Sequence, residues 1–400
     1  MRLSLGEAAD RAGVEPAFVE RLVALDALLP DGEGRLADSD ARRISILAAL
    51  VESGLPLEGV AEAIRRGLVS LRFVDQAGYE RFGSFGNETF RQVSERTGVP
   101  VELLMVTREA MGGREPAPDD RMRDYELEVV PLLAFQIANG SRPAATERTL
   151  RGFGDSLRRL TEVEAEWWRS EIQGPHLAAG RDPGAMGDLT ADLASRLDPL
   201  SDQTVLALYH GQQANGWMRN IREGVETVMR GAGLLTGPDR SPAICFLDLT
   251  GYTRLTDERG DAAAAELAGR LARLVERTSG RHGGRPVKWL GDGVMFVFRE
   301  PGAAVIAALE MVEGAPAADL PPAHVGVDTG PVLFQEGDYF GRTVNVASRI
   351  ADYARPGEVL VSQDVVEASD GGAVSFDRIG PVDLKGLSEA VTLHVARRSG

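Results

Sequence analysis

The sequence predicts an α+β domain over residues 243–400, preceded by an all-α region over residues 1–236. Three observations carry that expectation. Beyond residue 243, short apolar runs alternate with helix-length amphipathic segments, the order that builds one sheet covered by helices. Two of those runs, Val287–Leu290 and Val294–Phe298, are split by Gly291-Asp292-Gly293, which supplies the positive φ angles of a tight hairpin turn. Before residue 231 the apolar residues recur mostly at helical spacing, and the glycines and proline between Gly231 and Pro238 then break the last helix. We expect a linker at 237–242.

Composition narrows the class. A chain of 400 residues with 43% hydrophobic content can bury two or three cores. The formal net charge of −16 argues against nucleic acid or an anionic membrane as a partner, since either needs a basic footprint. One cysteine, Cys245, excludes an internal disulfide framework and fits a reducing cytosol. The first ten residues lack the apolar core of a signal peptide, and nowhere do 18 apolar residues run uninterrupted. A soluble, cytoplasmic protein with no membrane partner is expected.

Taken in order, Glu7 to Pro16 reads as a helix, a turn at Gly13 and a second helix with Pro16 in its first turn. Asp31 to Gly34 is a turn cluster, and Ser39 stands before a periodic run as an N-cap would. Residues 3–68 resemble the winged helix-turn-helix of MerR-type regulators, which implies DNA binding. The segment that would read DNA carries Glu15 and Glu20 against Arg21, and the wing offers Arg35 among acids, whereas phosphate contacts need lysine and arginine. A helical scaffold is the expected reading. Ser94 to Pro100 echoes Asp10 to Pro16, Gly98 matching Gly13, so residues 88–140 read as a degenerate second copy. Helix continues from Thr146 to Arg230, interrupted between Gly174 and Gly187, with Trp167 and Trp168 expected in a core or a dimer seam. The last long helix, residues 202–230, carries His210, Gly211 and Gly216.

The C-terminal part reads as strand 243–248, helix 261–280, hairpin 286–299, helix 302–313, strand 323–334, helix 343–353, strand 358–362 and closing strand 391–396. Asp248 ends the first strand and Asp292 tips the hairpin. If those strands are neighbours, the two carboxylates converge as a site for two divalent cations, Mg²⁺ or Mn²⁺. Leu249, Thr250, Gly251, Tyr252 and Thr253 follow the strand as a short loop before a helix, where backbone N–H groups can cradle phosphates.

Three stretches carry a more specific likeness: Phe246-x-Asp248-x-x-Gly251-Tyr252-Thr253, Lys288-Trp289-Leu290-Gly291-Asp292-Gly293, and Asp338-Tyr339-Phe340-Gly341-Arg342-Thr343-Val344-Asn345-Val346-Ala347-Ser348-Arg349. Together they resemble the catalytic domain of class III adenylyl cyclases, from about Ser241 to the C-terminus. The resemblance implies a ferredoxin-like βαββαβ core and conversion of ATP to 3′,5′-cyclic AMP and pyrophosphate. It makes Asp248 and Asp292 the metal pair, Lys288 and Asp338 the readers of adenine, Asn345 the residue that orients the ribose and Arg349 the one that stabilises charge on the transferring phosphate. Lys385 matches a position that reaches the triphosphate. Asn345 and Arg349 lie four apart on an expected helix and so share a face. Family members place Lys288 and Asp292 in different sites at a two-fold interface, so a homodimer is implied. The helical half resembles the regulatory domain of actinobacterial cyclases, some of them pH-responsive. His210 in the last long helix, expected to act as a switch, is a candidate pH sensor because imidazole titrates near neutrality. Two rivals stay open: a DNA-binding regulator whose cyclase-like domain senses nucleotide, and a guanylyl cyclase, which Lys288 and Asp338 oppose.

Overall fold

The computed structural model describes residues 2–75, 85–180, 183–235, 241–369 and 372–399; the side chains of residues 183–188, 191, 253, 254, 259 and 261 lie outside the description. Residues 237–240 of the expected linker also lie outside it. The chain divides into two compact units, Met1–Val228 and Met229–Gly400, so the division falls in the last turn of a helix.

In the first unit, β1 (Arg2–Leu3), α1 (Leu5–Ala12), α2 (Pro16–Ala24), β2 (Leu36–Ala37), α3 (Asp38–Glu52) and α4 (Leu57–Arg65) form one lobe. A second follows as β3 (Phe85–Thr89), α5 (Phe90–Thr97), α6 (Val101–Ala110), β4 (Arg121–Arg123), α7 (Asp124–Leu127) and α8 (Val130–Ala138). The expectation of a purely helical region is therefore corrected: β1 pairs antiparallel with β2, and β3 with β4. These strands run two to five residues, too short for a period-two pattern to show. Both lobes open the same way. Ser4 and Thr89 each cap a helix in a reciprocal capping box with Glu7 and Gln92, and Gly13 and Gly98 end those helices at φ 69° and 73°. Each lobe has its own core, built on residues such as Leu22, Ile44 and Leu47 in the first and Phe90, Leu104 and Met122 in the second.

Helices α9 (Pro143–Trp167), α10 (Gly174–Ala178) and α11 (Pro183–Gly231) complete the unit, with a π-helical turn over Trp168–Gln173. The last helix is far longer than expected, running through Pro199. Trp167 is 43% exposed and its ring lies 6.5 Å from that of Trp168, so Trp167 fills no core within the unit.

The second unit contains β5 (Ala243–Leu249), α12 (Tyr252–Arg259), α13 (Asp261–Arg281), β6 (Arg285–Leu290), β7 (Gly293–Phe298), α14 (Pro301–Gly314), β8 (Ala323–Thr329), β9 (Leu333–Gln335), β10 (Asp338–Phe340), α15 (Arg342–Tyr353), β11 (Val359–Ser362), α16 (Gln363–Ala368), β12 (Val374–Val382) and β13 (Val391–Arg398). Seven strands form one sheet in the order β12-β13-β11-β8-β5-β7-β6, with only β11 and β8 parallel. The expected strand 323–334 is two elements. It stops at Thr329 because Gly330 and Pro331 follow, and proline cannot donate to a ladder. Residues 333–340 leave the sheet as the small β9–β10 hairpin, turned at Glu336 and Gly337 with φ 53° and 82°.

Alternation along β5 decides which side of the sheet each of its residues faces. Ala243, Cys245, Leu247 and Leu249 enter the main core with Leu267, Leu271 and Val275 of α13 and the apolar face of α14. Ile244 enters a smaller cluster with Val344 and Ala347 of α15, so Asp248 shares α15's side of the sheet. The helix lies very close to the strands. A Cβ on Gly326 would stand 2.2 Å from the backbone nitrogen of Ala351 and 2.6 Å from the carbonyl oxygen of Ala347. Gly326→Ala therefore has to push α15 off β8, a backbone clash that costs about 3 kcal/mol or more. The expected outcome is a lower melting temperature for the second unit and a loss of catalytic rate out of proportion to any loss of folded protein, read by thermal unfolding and by activity per folded chain at 20 °C.

Candidate active site

Strand pairing brings the two acids together. Asp248 lies opposite Gly293 across the β5–β7 ladder, and Asp292 is the residue just before it, at the tip of the β6–β7 hairpin. The hairpin needs its glycines: Gly291 turns at φ 72°, and a Cβ on Gly293 would sit 3.1 Å from the carbonyl oxygen of Leu247 and 3.2 Å from Oδ1 of Asp248. Burial pushes the Asp248 carboxyl above the usual range, and the charge of Asp292 pushes it further in the same direction. The ring of His324 opposes that shift, its Nε2 3.9 Å from Asp248 Oδ2, and the neighbouring backbone N–H of Leu249 opposes it less.

A carboxylate whose proton affinity is raised by burial and by a neighbouring carboxylate is what hard cations relieve. Among the described residues no cluster of three or more His, Cys, Asp or Glu side chains could enclose an ion. The donors that Asp248 and Asp292 offer are carboxylate oxygens. They fit Mg²⁺ or Mn²⁺, which accept one or two carboxylates with the balance supplied by substrate phosphates and water.

The loop after β5 is narrower as a phosphate cradle than its sequence suggests. The Thr250 N–H donates to the carbonyl of Pro322 at 2.9 Å. The Tyr252 hydroxyl donates to Ala264 O at 3.2 Å and ties α12 to α13. What remains are the N–H groups of Gly251 (φ 76°), Tyr252 and Thr253 at the start of α12, which have no partner four residues back within the helix. The side chain of Thr253 lies outside the described residues.

A second group gathers on the β6 edge. Lys288 Nζ donates to Asp338 Oδ2 at 2.6 Å, while Asp338 Oδ1 accepts the Tyr339 N–H at 2.8 Å. Both side chains remain partly exposed, at 38% and 26%. The guanidinium of Arg285 stacks over the rings of Tyr339 and Phe334 and fixes the hairpin to β6. Around this pair Trp289, Leu290, Leu333, Phe334 and Phe340 stand 42–60% exposed.

Asn345 and Arg349 project together from the exposed face of α15. Arg349 is engaged with Asp352 at 2.6 Å, but both partners are about half exposed, and such a surface pair yields readily. Lys385 is exposed on the link between β12 and β13, and Leu384 beside it is buried against Val346 and Ile350 of α15. His210 is exposed on α11, its ring 5.7 Å from Tyr209, and belongs to the other unit. Sequence reasoning missed His324. Its signal lies only in the register that pairs it with Asp248 across β5 and β8.

Comparison with known proteins gives the family. The family model for the adenylate and guanylate cyclase catalytic domain matches residues 238–396. An adenylate cyclase of Streptomyces coelicolor is 30% identical over 69% of this chain and 70% of its own length. The pH-sensitive adenylate cyclase of Mycobacterium tuberculosis is 29% identical over 77% of each chain, and an adenylate cyclase of Glutamicibacter nicotianae is 35% identical over 68% of each. Among solved structures the adenylyl cyclase CyaB of Pseudomonas aeruginosa aligns with 42% of this chain and 98% of its own at 23% identity, with a TM-score of 0.37. The chain belongs to the adenylate and guanylate cyclase family and is an adenylate cyclase.

Proposed function

We propose that the chain makes cyclic AMP at sites shared between two copies of itself, with Asp248 and Asp292 of one copy holding the divalent cations and Lys288, Asp338, Asn345 and Arg349 of the other handling adenine, ribose and phosphate. The observation that carries the reading is the convergence of Asp248 and Asp292 across the β5–β7 ladder, and we read the frame beneath them as ferredoxin-like βαββαβ. Bound there, Mg²⁺ or Mn²⁺ supplies charge neutralisation on the triphosphate and lowers the pKa of the attacking 3′-hydroxyl.

The chain's own residues account for the rest. Lys288 has donors to spare beyond the one given to Asp338, and Asp338 is an acceptor held rigid by the Tyr339 N–H. Side by side they answer the ring-nitrogen acceptor and the exocyclic amine of adenine. Guanine offers the reverse pattern and would leave both groups unpaired, a mismatch worth up to on the order of 10⁴ in selectivity. Arg349, released from Asp352, places a fixed positive charge where the transferring phosphate develops its own negative charge. Large apolar side chains exposed around Lys288 and Asp338 supply the contact area for a second copy.

The test is an assay of ATP and GTP turnover with Mg²⁺ and with Mn²⁺. Asp292→Asn should lower kcat by 100-fold or more, on the order of the loss expected when a transition-state charge interaction is removed. Lys288→Ala should raise KM for ATP and erode the preference over GTP. Wild-type rate in Asp292→Asn, or equal turnover of ATP and GTP by the parent protein, would contradict the reading.

Regulation is assigned to the first unit. A relative described as pH-sensitive aligns over 77% of this chain, including much of that unit, and α11 runs from it to the boundary of the second. We assign pH as the input and His210 as a candidate sensor. Removal of residues 1–236 should change specific activity several-fold at concentrations where both forms are dimers and should flatten the pH profile, as should His210→Ala in the full chain. A pH profile shared by all three proteins contradicts that assignment.

A further inference from the structure

The second unit carries a basic groove that its cyclase chemistry does not use. Helix α13 places Arg270, Arg273, Arg277 and Arg281 at positions 0, +3, +7 and +11, an arc of roughly 80° and a rise of about 16 Å. All four line a groove of about 400 Å³ closed on its far side by the 3₁₀ turn Pro316–Ala318 and Asp319. In a chain of net charge −16 the lining holds four guanidiniums and one carboxylate, and its sign stays positive when the glutamates beside Arg270 and Arg281 are counted.

The row is incompletely neutralised. Arg281 is held by Glu310, and Arg270 is 3.9 Å from Glu266. Among the described residues Arg273 and Arg277 have no acidic partner, both are exposed, and the Nε of Arg270 is buried without a hydrogen-bond acceptor. Guanidinium stays charged at any physiological pH and presents forked donors matched to phosphate oxygens. The groove is also separate from the catalytic carboxylates. Leu267, Leu271 and Val275 seat α13 on the sheet face that β5 lines with Cys245 and Leu247, whereas Asp248 alternates to the opposite face.

We propose that this groove is a second anion site, built for a linear polyphosphate. The length of the arginine row selects a chain of phosphates over a single one, since one phosphate can engage only one or two guanidiniums. The lining contains Leu274, Ala317 and Ala318 but no aromatic ring, so nothing there stacks a base. Free inorganic polyphosphate and the triphosphate tail of a nucleotide share this chemistry, and recognition rests on the phosphate chain.

The test is calorimetric titration of the full-length protein with inorganic tripolyphosphate, in EDTA and at fixed ionic strength. EDTA leaves the carboxylate pair without cations. The expected result is one site per chain, lost by roughly tenfold or more in Arg273→Glu/Arg277→Glu, and within twofold of the parent in Lys385→Ala. Arg273→Gln/Arg277→Gln, which removes charge without reversing it, should lie between, and thermal unfolding reports whether each variant is folded. ATP should bind no more tightly than tripolyphosphate, and orthophosphate far more weakly. Absence of binding by the parent, unchanged affinity in both arginine variants, loss on Lys385→Ala instead, or a tenfold preference for ATP would each overturn the proposal.

Discussion

Two carboxylates held against each other are the constraint on which the second unit depends. Asp248 and Asp292 repel, and burial adds to the cost of keeping Asp248 charged. A free chain would separate them. The sheet does not allow it: β5 sits between β7 and β8, its partners run along its whole length, and the hairpin tip is fixed one residue from the ladder. The cost of this like-charge contact is covered by the apolar contacts of the core beneath it, where Cys245, Leu247, Phe296 and Phe298 are wholly or almost wholly buried. The fold thus stores an unsatisfied electrostatic demand at one point of its surface, and the proposed function assigns divalent cations to it.

The remaining residues of the proposed site are carried by different supports. Lys288 lies on the edge strand β6 and Asp338 on the β9–β10 hairpin, joined to each other and braced by Arg285 stacked over two rings. Asn345 and Arg349 ride on α15, which Gly326 lets settle directly on the strand backbone. Lys385 hangs from a loop whose Leu384 anchors against the same helix. Each support is anchored separately, and large apolar side chains around Lys288 and Asp338 stay exposed.

The strand and hairpin that carry Asp248 and Asp292 are legible in the sequence because those acids coincide with backbone punctuation. Gly291 and Gly293 mark the turn that carries Asp292, and the apolar run that ends at Asp248 marks a buried strand. Other elements left no such mark. Strand β12 buries only scattered residues such as Val374 and Gly380, so its pattern has no period, and α12 is a polar helix of eight residues. The strands of the first unit are too short to register any alternation. His324 escaped notice because strand register, which no local pattern encodes, is what sets it beside Asp248. The break after Thr329 was readable from Gly330 and Pro331 but was outweighed by the apolar residues on either side.

The most direct measurement of the shared-site account is subunit complementation between Lys288→Ala and Asp292→Ala. Each homodimer should be nearly inactive. In a heterodimer both lesions fall in one site and the other site is intact, so an equal mixture with free exchange should recover about one quarter of wild-type activity, given a two-fold assembly. Asp248→Ala mixed with Asp292→Ala should recover none, because every site then keeps one lesion. Rescue in that control, or no rescue of the Lys288 and Asp292 pair once subunit exchange is demonstrated, would contradict the account.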